Sequence, residues 1–153
     1  MKFLCDHMLG TLAKWLRFFG YDTAYPDAIG DNDIRALAER EERILLTRDR
    51  ELSARVSGAV YLESDDPDAQ LEHVVRTFRL TAERALSRCS VCNVPIESVL
   101  RETARGRVPE GVYDRQREFW RCPQCGRFYW EGSHFDRVLA KAREVAAKAN
   151  LPP

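Results

Sequence analysis

The first eighty residues alternate two kinds of hydrophobic pattern. Short continuous apolar runs, Phe3-Leu4-Cys5 and Ile44-Leu45-Leu46, are bounded by polar residues and read as strands buried on both faces. Between them lie stretches whose apolar residues recur every three or four positions, the spacing of one face of a helix. Met8, Leu9, Leu12, Leu16 and Phe19 form the first such stretch, and Gly20 stops it. Thr23-Ala24-Tyr25 reads as a short strand ended by Pro26, and Asp27 to Gly30 as a loop. Asp31 is placed to cap a helix with Ile34, Leu37 and Ala38 on its apolar face, and Asp33 falls in that helix's first turn. The Arg43–Asp49 strand region, a short helix over Glu51–Val56, a strand over Ala59–Leu62 and a helix opened by Asp66-Pro67 complete the series. Strand and helix in alternation predict an α/β fold, a parallel sheet flanked by helices.

From about Ser87 the periodic helices give way to Cys-x-x-Cys turns, prolines, glycines and short aromatic segments. A last amphipathic stripe, Val138, Leu139, Ala142, Val145, Ala146 and Ala149, predicts a C-terminal helix that Ser133 is placed to cap and that packs back on the body. The expected organisation is therefore a domain over 1–86, a zinc ribbon over 87–134 and a helix over 135–153.

Charge sharpens this division. The chain is neutral overall, with 24 Lys and Arg against 24 Asp and Glu. Residues 1–75 hold 9 basic and 15 acidic side chains, a net of −6, whereas residues 76–127 hold 11 arginines and 6 acids, a net of +5. An acidic half suited to cations thus adjoins a basic half suited to a phosphate backbone. No apolar run approaches the ~18 residues that a membrane helix needs, and Asp6 and His7 come too early for a signal peptide, so a cytoplasmic location is expected.

Four of the five cysteines form two knuckle-like pairs, Cys89/Cys92 and Cys122/Cys125, separated by 29 residues. In a reducing compartment two such turns supply the tetrahedral sulfur set that Zn²⁺ prefers. With four protein ligands the metal is expected to be structural. Cys5 reads as a small buried hydrophobe, and His134 as a helix-end or surface residue rather than a competing ligand.

The acids that end strands are the candidate catalytic groups. Hard cations such as Mg²⁺ or Mn²⁺ take carboxylate oxygens converging from several elements. Asp6 and Asp49 at strand ends, with Asp31 or Asp33 at a helix start, meet that demand, since open α/β sheets bind ligands at the carboxyl ends of their strands. Each acid also has a plain alternative role as a helix cap. Lys14 and Arg48 are candidate phosphate contacts. In the ribbon, Arg115, Arg117, Arg121 and Arg127 are interleaved with Phe119, Trp120, Phe128, Tyr129 and Trp130. That mixture suits single-stranded RNA, held by guanidinium groups and stacked bases. The competing reading is that the aromatics form the ribbon's own small core.

Phe3 to Gly10, Leu12 to Arg17 with Gly20-Tyr21-Asp22, Arg43 to Asp49, Arg88 to Asn93, and Cys122 to Trp130 with Gly132-Ser133-His134 occur in one order. This ordered set resembles the PIN-like Mut-seven C-terminal RNase domain family along nearly the whole chain. The resemblance implies a PIN-like three-layer α/β fold with an attached zinc ribbon, and a metal-dependent ribonuclease activity. It also implies that Asp6, Asp49 and one of Asp31 or Asp33 are the nuclease acids, with Asp65, Asp66 or neither as a fourth. A non-catalytic RNA- or ribosome-associated binding module is the alternative function, and an adaptor using the ribbon's aromatic surface a third. The RNA substrate and the oligomeric state are not legible.

Overall fold

A computed structural model describes residues 1–149. Four parallel strands, β1 (Lys2–Cys5), β2 (Asp22–Ala24), β3 (Ile44–Thr47) and β4 (Val60–Tyr61), form one sheet in the order β2-β1-β3-β4. The chain leaves β1 for one neighbour and then returns to the other side of it, so the connections part between β1 and β3. In such sheets the crevice outside the strand ends at that point is where ligands bind.

The pleat explains why these runs are apolar without alternation. Phe3, Cys5 and Leu46 point to one face, where they meet Leu12 and Leu16 of α1 (Gly10–Phe18) and Leu71 and Val74 of α4 (Pro67–Phe78). Leu4 and Leu45 point to the other, against Ile34 and Ala38 of α2 (Asp31–Glu41) and Leu52 of α3 (Arg50–Arg55). Fully burying each such side chain contributes about 1.5–3 kcal/mol, so both faces are driven to be covered. The result is the three-layer α/β fold that the alternating pattern predicts.

A second sheet is antiparallel, with β5 (Glu97–Val99), β6 (Phe119–Arg121) and β7 (Phe128–Tyr129) in that order. Its long insert between β5 and β6 folds as a 3-10 turn, Arg101–Ala104, and a short helix α5 (Glu110–Arg115). The insert packs Ala104 and Tyr113 against Phe119 of β6 in a small core. The Tyr113 and Phe119 rings stack with centroids 6.2 Å apart, and the Arg101 guanidinium lies 3.9 Å over Tyr113.

The last helix, α6 (Ser133–Lys148), places Val138, Ala142 and Val145 in the same core as α1 and α4. Its N-cap is Gly132, in an extended conformation, and Ser133 is the first helical residue without a capping bond of its own. The ring of His134 packs edge-on against Phe18, with centroids 5.0 Å apart, which gives it a packing role away from the cysteines. Among the described residues no helix is long and apolar enough to cross a membrane.

Candidate functional site

Asp6 and Asp49 leave the carboxyl ends of adjacent strands, and Thr47 joins them. The register pairs Cys5 with Leu46, so the chain after β1 runs beside the end of β3, and the Asp6 N–H donates to the Leu46 carbonyl at 3.1 Å. The Thr47 hydroxyl donates to Asp6 Oδ2 at 3.0 Å and accepts from the Asp49 N–H at 2.9 Å. A hydroxyl has one proton and two lone pairs, so it can serve both groups at once. Thr47 is fully buried and Asp6 is 7% exposed, which makes this a desolvated contact.

The other oxygen of Asp6, Oδ1, accepts from the His7 N–H at 2.7 Å and faces His7 Nδ1 at 2.9 Å. An ionised carboxylate only accepts, so in this contact Nδ1 carries a proton and the ring donates. Tyr25, the residue after β2, donates from its hydroxyl to the His7 carbonyl at 2.6 Å, so the segment after β1 is fixed from the end of a second strand. Asp49 is exposed and is the N-cap of α3, its Oδ1 accepting from the Leu52 N–H at 2.9 Å. Ionised carboxylates offer about four lone-pair sites, and these bonds leave acceptor capacity on both groups.

The helix acids separate into two kinds. Gly30, with φ −69° and ψ 162°, is the N-cap of α2; Asp31 is the first helical residue and does not cap it, contrary to the expectation from spacing. Asp31 instead pairs with Arg55 of α3 at 2.8 Å, an exposed contact between two helices on the same face of the sheet. Asp33 lies in the first turn, exposed, where a carboxylate suits the helix dipole. Asp66 caps α4 through both oxygens, to the N–H groups of Asp68 and Ala69. Asp6, Asp31, Asp33 and Asp49 do not join a set of three or more with all donor atoms within 4.8 Å of one another; among the described residues the four cysteines alone do.

Those cysteines form the second centre. The Cys89 and Cys125 sulfurs are 3.8 Å apart, and a tetrahedron with Zn–S bonds of about 2.3 Å has edges of about 3.8 Å. The donor set therefore fits a structural metal such as zinc. The two knuckles are built alike. In each, the N–H of the second cysteine donates to the first sulfur at 3.4 Å, Cys92 to Cys89 and Cys125 to Cys122. Each then ends in a left-handed residue, Asn93 at φ 62° and Gly126 at φ 76°. That turn returns the chain, with the Asn93 and Gly126 N–H groups donating to the Cys89 and Cys122 carbonyls, both at 2.9 Å. Tyr129 donates to the Cys89 sulfur at 3.1 Å. Burial alone pushes the Cys89 thiol up, but the Tyr129 hydroxyl and the N–H groups of Cys92 and Val91 outweigh it and bring it down to about 6. Burial pushes Cys92 up to about 12, helped by the neighbouring sulfurs.

Two side chains that spacing did not single out lock this centre to the sheet. Arg17 of α1 is buried and donates to the carbonyls of Thr23, Ser90 and Val91 at 2.9, 3.0 and 3.0 Å. Asn93 accepts from the Thr23 N–H and donates to Asp22. Arg43 meets the same Asp22 carboxylate at 2.7 Å and also reaches the Phe3 carbonyl. Burial raises Asp22, but Arg43 and Asn93 together hold its carboxyl below the usual range.

The candidate RNA contacts are spread more widely. Lys14, Arg115, Arg117 and Arg127 are exposed, whereas Arg121 lies half-buried with its guanidinium 5.6 Å from the Phe128 ring. Arg48 donates weakly to the Glu63 carbonyl at 3.4 Å, and its Nε is enclosed without an acceptor. Phe119 and Tyr129 are buried and belong to the ribbon's cores, with Trp120, Phe128 and Trp130 packed partly against them. The aromatics thus form the ribbon's own core first.

No curated protein and no solved structure matches the chain. A family model described as the Mut7-C RNAse domain matches residues 1–142. That span takes in both the strand-end acids and the four cysteines, and on it the chain belongs to the Mut7-C RNAse domain family.

Proposed function

We propose that the protein is a Mg²⁺- or Mn²⁺-dependent ribonuclease acting on single-stranded RNA in the cytoplasm. Asp6, Asp49 and Asp33 would hold the catalytic cation, and the cysteine centre would carry zinc. The observation that carries this reading is the Asp6–Thr47–Asp49 chain at the crevice between β1 and β3. An all-carboxylate donor set suits a hard cation and not a soft one. Bound there, such a cation supplies Lewis-acid stabilisation of charge on the scissile phosphate.

The protein's own groups divide the remaining work. Thr47 orients Asp6, and His7 holds its second oxygen. Between the two acids of α2, Asp33 is preferred because Asp31 is engaged with Arg55. Arg48, beside Asp49, and Lys14, with Arg115, Arg117, Arg121 and Arg127, would supply positive charge for the strand's phosphates.

The test uses zinc-loaded protein and end-labelled single-stranded RNA, with Mn²⁺, with Mg²⁺, or with no added divalent cation. Cleavage that depends on the added cation is the expected result, and cleavage that persists without it overturns the proposal. One observation favours a second reading, a non-catalytic RNA-binding module: Asp6, Asp31 and Asp49 each have a local partner, and the acids do not form one close set. Salt-sensitive RNA binding without cleavage under any cation would select that reading.

A further inference from the structure

Beyond the acids and the cysteines, a pocket of about 400 Å³ lies where the segment after α4 meets the ribbon, and its polar and aromatic lining is Glu83, Arg84, Ser87, Trp120, Trp130 and Glu131. Its apolar floor includes Leu86 and Ile96. We propose that this pocket binds one base of single-stranded RNA, with guanine preferred. The proposal rests on the RNA-directed reading above and adds a second contact point on the strand.

Three features of the pocket carry it. Two indoles border one space, and tryptophan is the side chain with the largest face for stacking on an unpaired base. Both are half-buried, held by the ribbon core on one side and open on the other, with Trp130 packed edge-on against Phe119. The charged groups at the pocket are two carboxylates and one guanidinium, beside the Ser87 hydroxyl. Guanine carries two adjacent N–H donors, N1–H and N2–H₂, on its pairing edge, which one carboxylate can accept together. Adenine places a donor beside an acceptor there, uracil a donor between acceptors, and both leave a carboxylate facing a lone pair. Arg84 offers a cation for the attached phosphate.

The wall of the pocket is also preformed. Gly20, at φ 91°, lies so close to the segment that a Cβ there would stand 2.3 Å from the Arg84 carbonyl. Leu86 adopts φ 59° and donates from its N–H to the Phe18 carbonyl at 2.9 Å. The segment is therefore pinned to the end of α1, and a base entering the pocket meets a fixed surface.

The three tryptophans make the test internal to the molecule, because Trp15 packs in the main core and serves as the control. Zinc-loaded protein comprising residues 1–153, without Mg²⁺ or Mn²⁺, is titrated with GMP, AMP, CMP and UMP, and with an uncleavable 2′-O-methyl tetranucleotide with or without one guanine. The indole N–H resonances of Trp120 and Trp130 are expected to shift with GMP while that of Trp15 stays. Trp130→Ala should weaken the guanine tetranucleotide about 10-fold, with bound zinc confirming the fold. Exposed Glu131→Gln and Glu83→Gln, tested singly and together, should erase the preference for GMP over AMP. Absence of indole shifts, equal shifts at Trp15, or a preference that survives both glutamine substitutions overturns the pocket. Equal affinity for GMP and the tetranucleotide overturns its assignment to RNA. None of these readouts requires cleavage, so failure of the nuclease reading and failure of this pocket are told apart.

Discussion

Asn93, the left-handed residue that closes the first cysteine knuckle, accepts a hydrogen bond from the backbone N–H of Thr23 on strand β2, 70 positions away, at 2.9 Å. β2 is an edge strand, and an edge presents N–H groups without partners. The knuckle therefore satisfies the sheet's edge while the sheet fixes the knuckle. The amide can be oriented only one way, since its Nδ2 faces the Asp22 carboxylate at 2.7 Å. Asn93→Gly should keep the backbone turn and lose both side-chain bonds, costing about 1–3 kcal/mol. Asn93→Ala should cost about 1 kcal/mol more, because a Cβ penalises the left-handed region. Denaturant unfolding of the zinc-loaded variants measures both, and equal stability of all three proteins would sink the argument.

Arg17 carries the same connection from the helix side. Its guanidinium serves three carbonyls, two of them in the first knuckle. Arg17→Met keeps the apolar stem and strands those acceptors, so a loss of about 2–4 kcal/mol is expected. Arg17→Lys should not rescue it, because one ammonium cannot reproduce the planar fork. Faster transfer of zinc to a chelator from both variants is the second readout, and unchanged transfer would show that the bonds do not couple the two parts.

Acid should weaken the connection through Asp22. Its folded pKa lies below its ordinary value because Arg43 and Asn93 outweigh its burial. A carboxyl depressed on folding contributes stability that is present above its ordinary pKa and is lost as pH falls through the folded value. The stability difference between the native protein and Asp22→Asn should thus be largest above about pH 5 and shrink below about pH 4. Taking the difference between the two proteins removes the effect of acid on the cysteines, which both share. A difference that grows on acidification would contradict the assigned direction.

What the sequence made legible was set by local physics. The run Ile44-Leu45-Leu46 read as a doubly covered strand because both faces of β3 are buried, and Asp66-Pro67 read as a helix start because cap and first turn are adjacent in sequence. The helix starts at Asp31 and Ser133 were displaced by one residue, since in each case the preceding glycine takes the cap conformation. Asp31 is drawn to Arg55, a partner that only the packing of two helices supplies. Arg17 was not legible as a clamp, because an arginine in an amphipathic helix has no local mark of burial. The strand-end acids could be placed at neighbouring ends, but the Thr47 bridge between them depends on the register of β1 against β3.

At Asp49 the capping role and the proposed catalytic role can be separated by one substitution. Asparagine caps helices about as well as aspartate, so Asp49→Asn should leave stability within about 0.5 kcal/mol. If the carboxylate holds the catalytic cation, cation-dependent RNA cleavage should fall by about 100-fold or more. Thr47→Val should cost about 1–3 kcal/mol by leaving the buried Asp6 oxygen without its donor, and should slow cleavage as well. Full cleavage by Asp49→Asn would leave that residue as a cap and nothing else.

The arginines of the ribbon act through charge if they touch phosphate, and salt reveals this without a substrate sequence being known. Releasing counterions from a single strand gives a slope in log affinity against log salt of about −0.7 for each phosphate neutralised. Arg115, Arg117 and Arg127 are exposed and serve no core, so their replacement by glutamine should spare the fold. Each substitution should flatten the slope by about 0.7 and weaken RNA binding uniformly across sequences. Arg121 differs, since its guanidinium lies over Phe128, and its loss should also loosen the ribbon. A slope unchanged in the triple variant would remove these arginines from the RNA path and leave positive charge elsewhere, such as Lys14 and Arg48, to hold the strand.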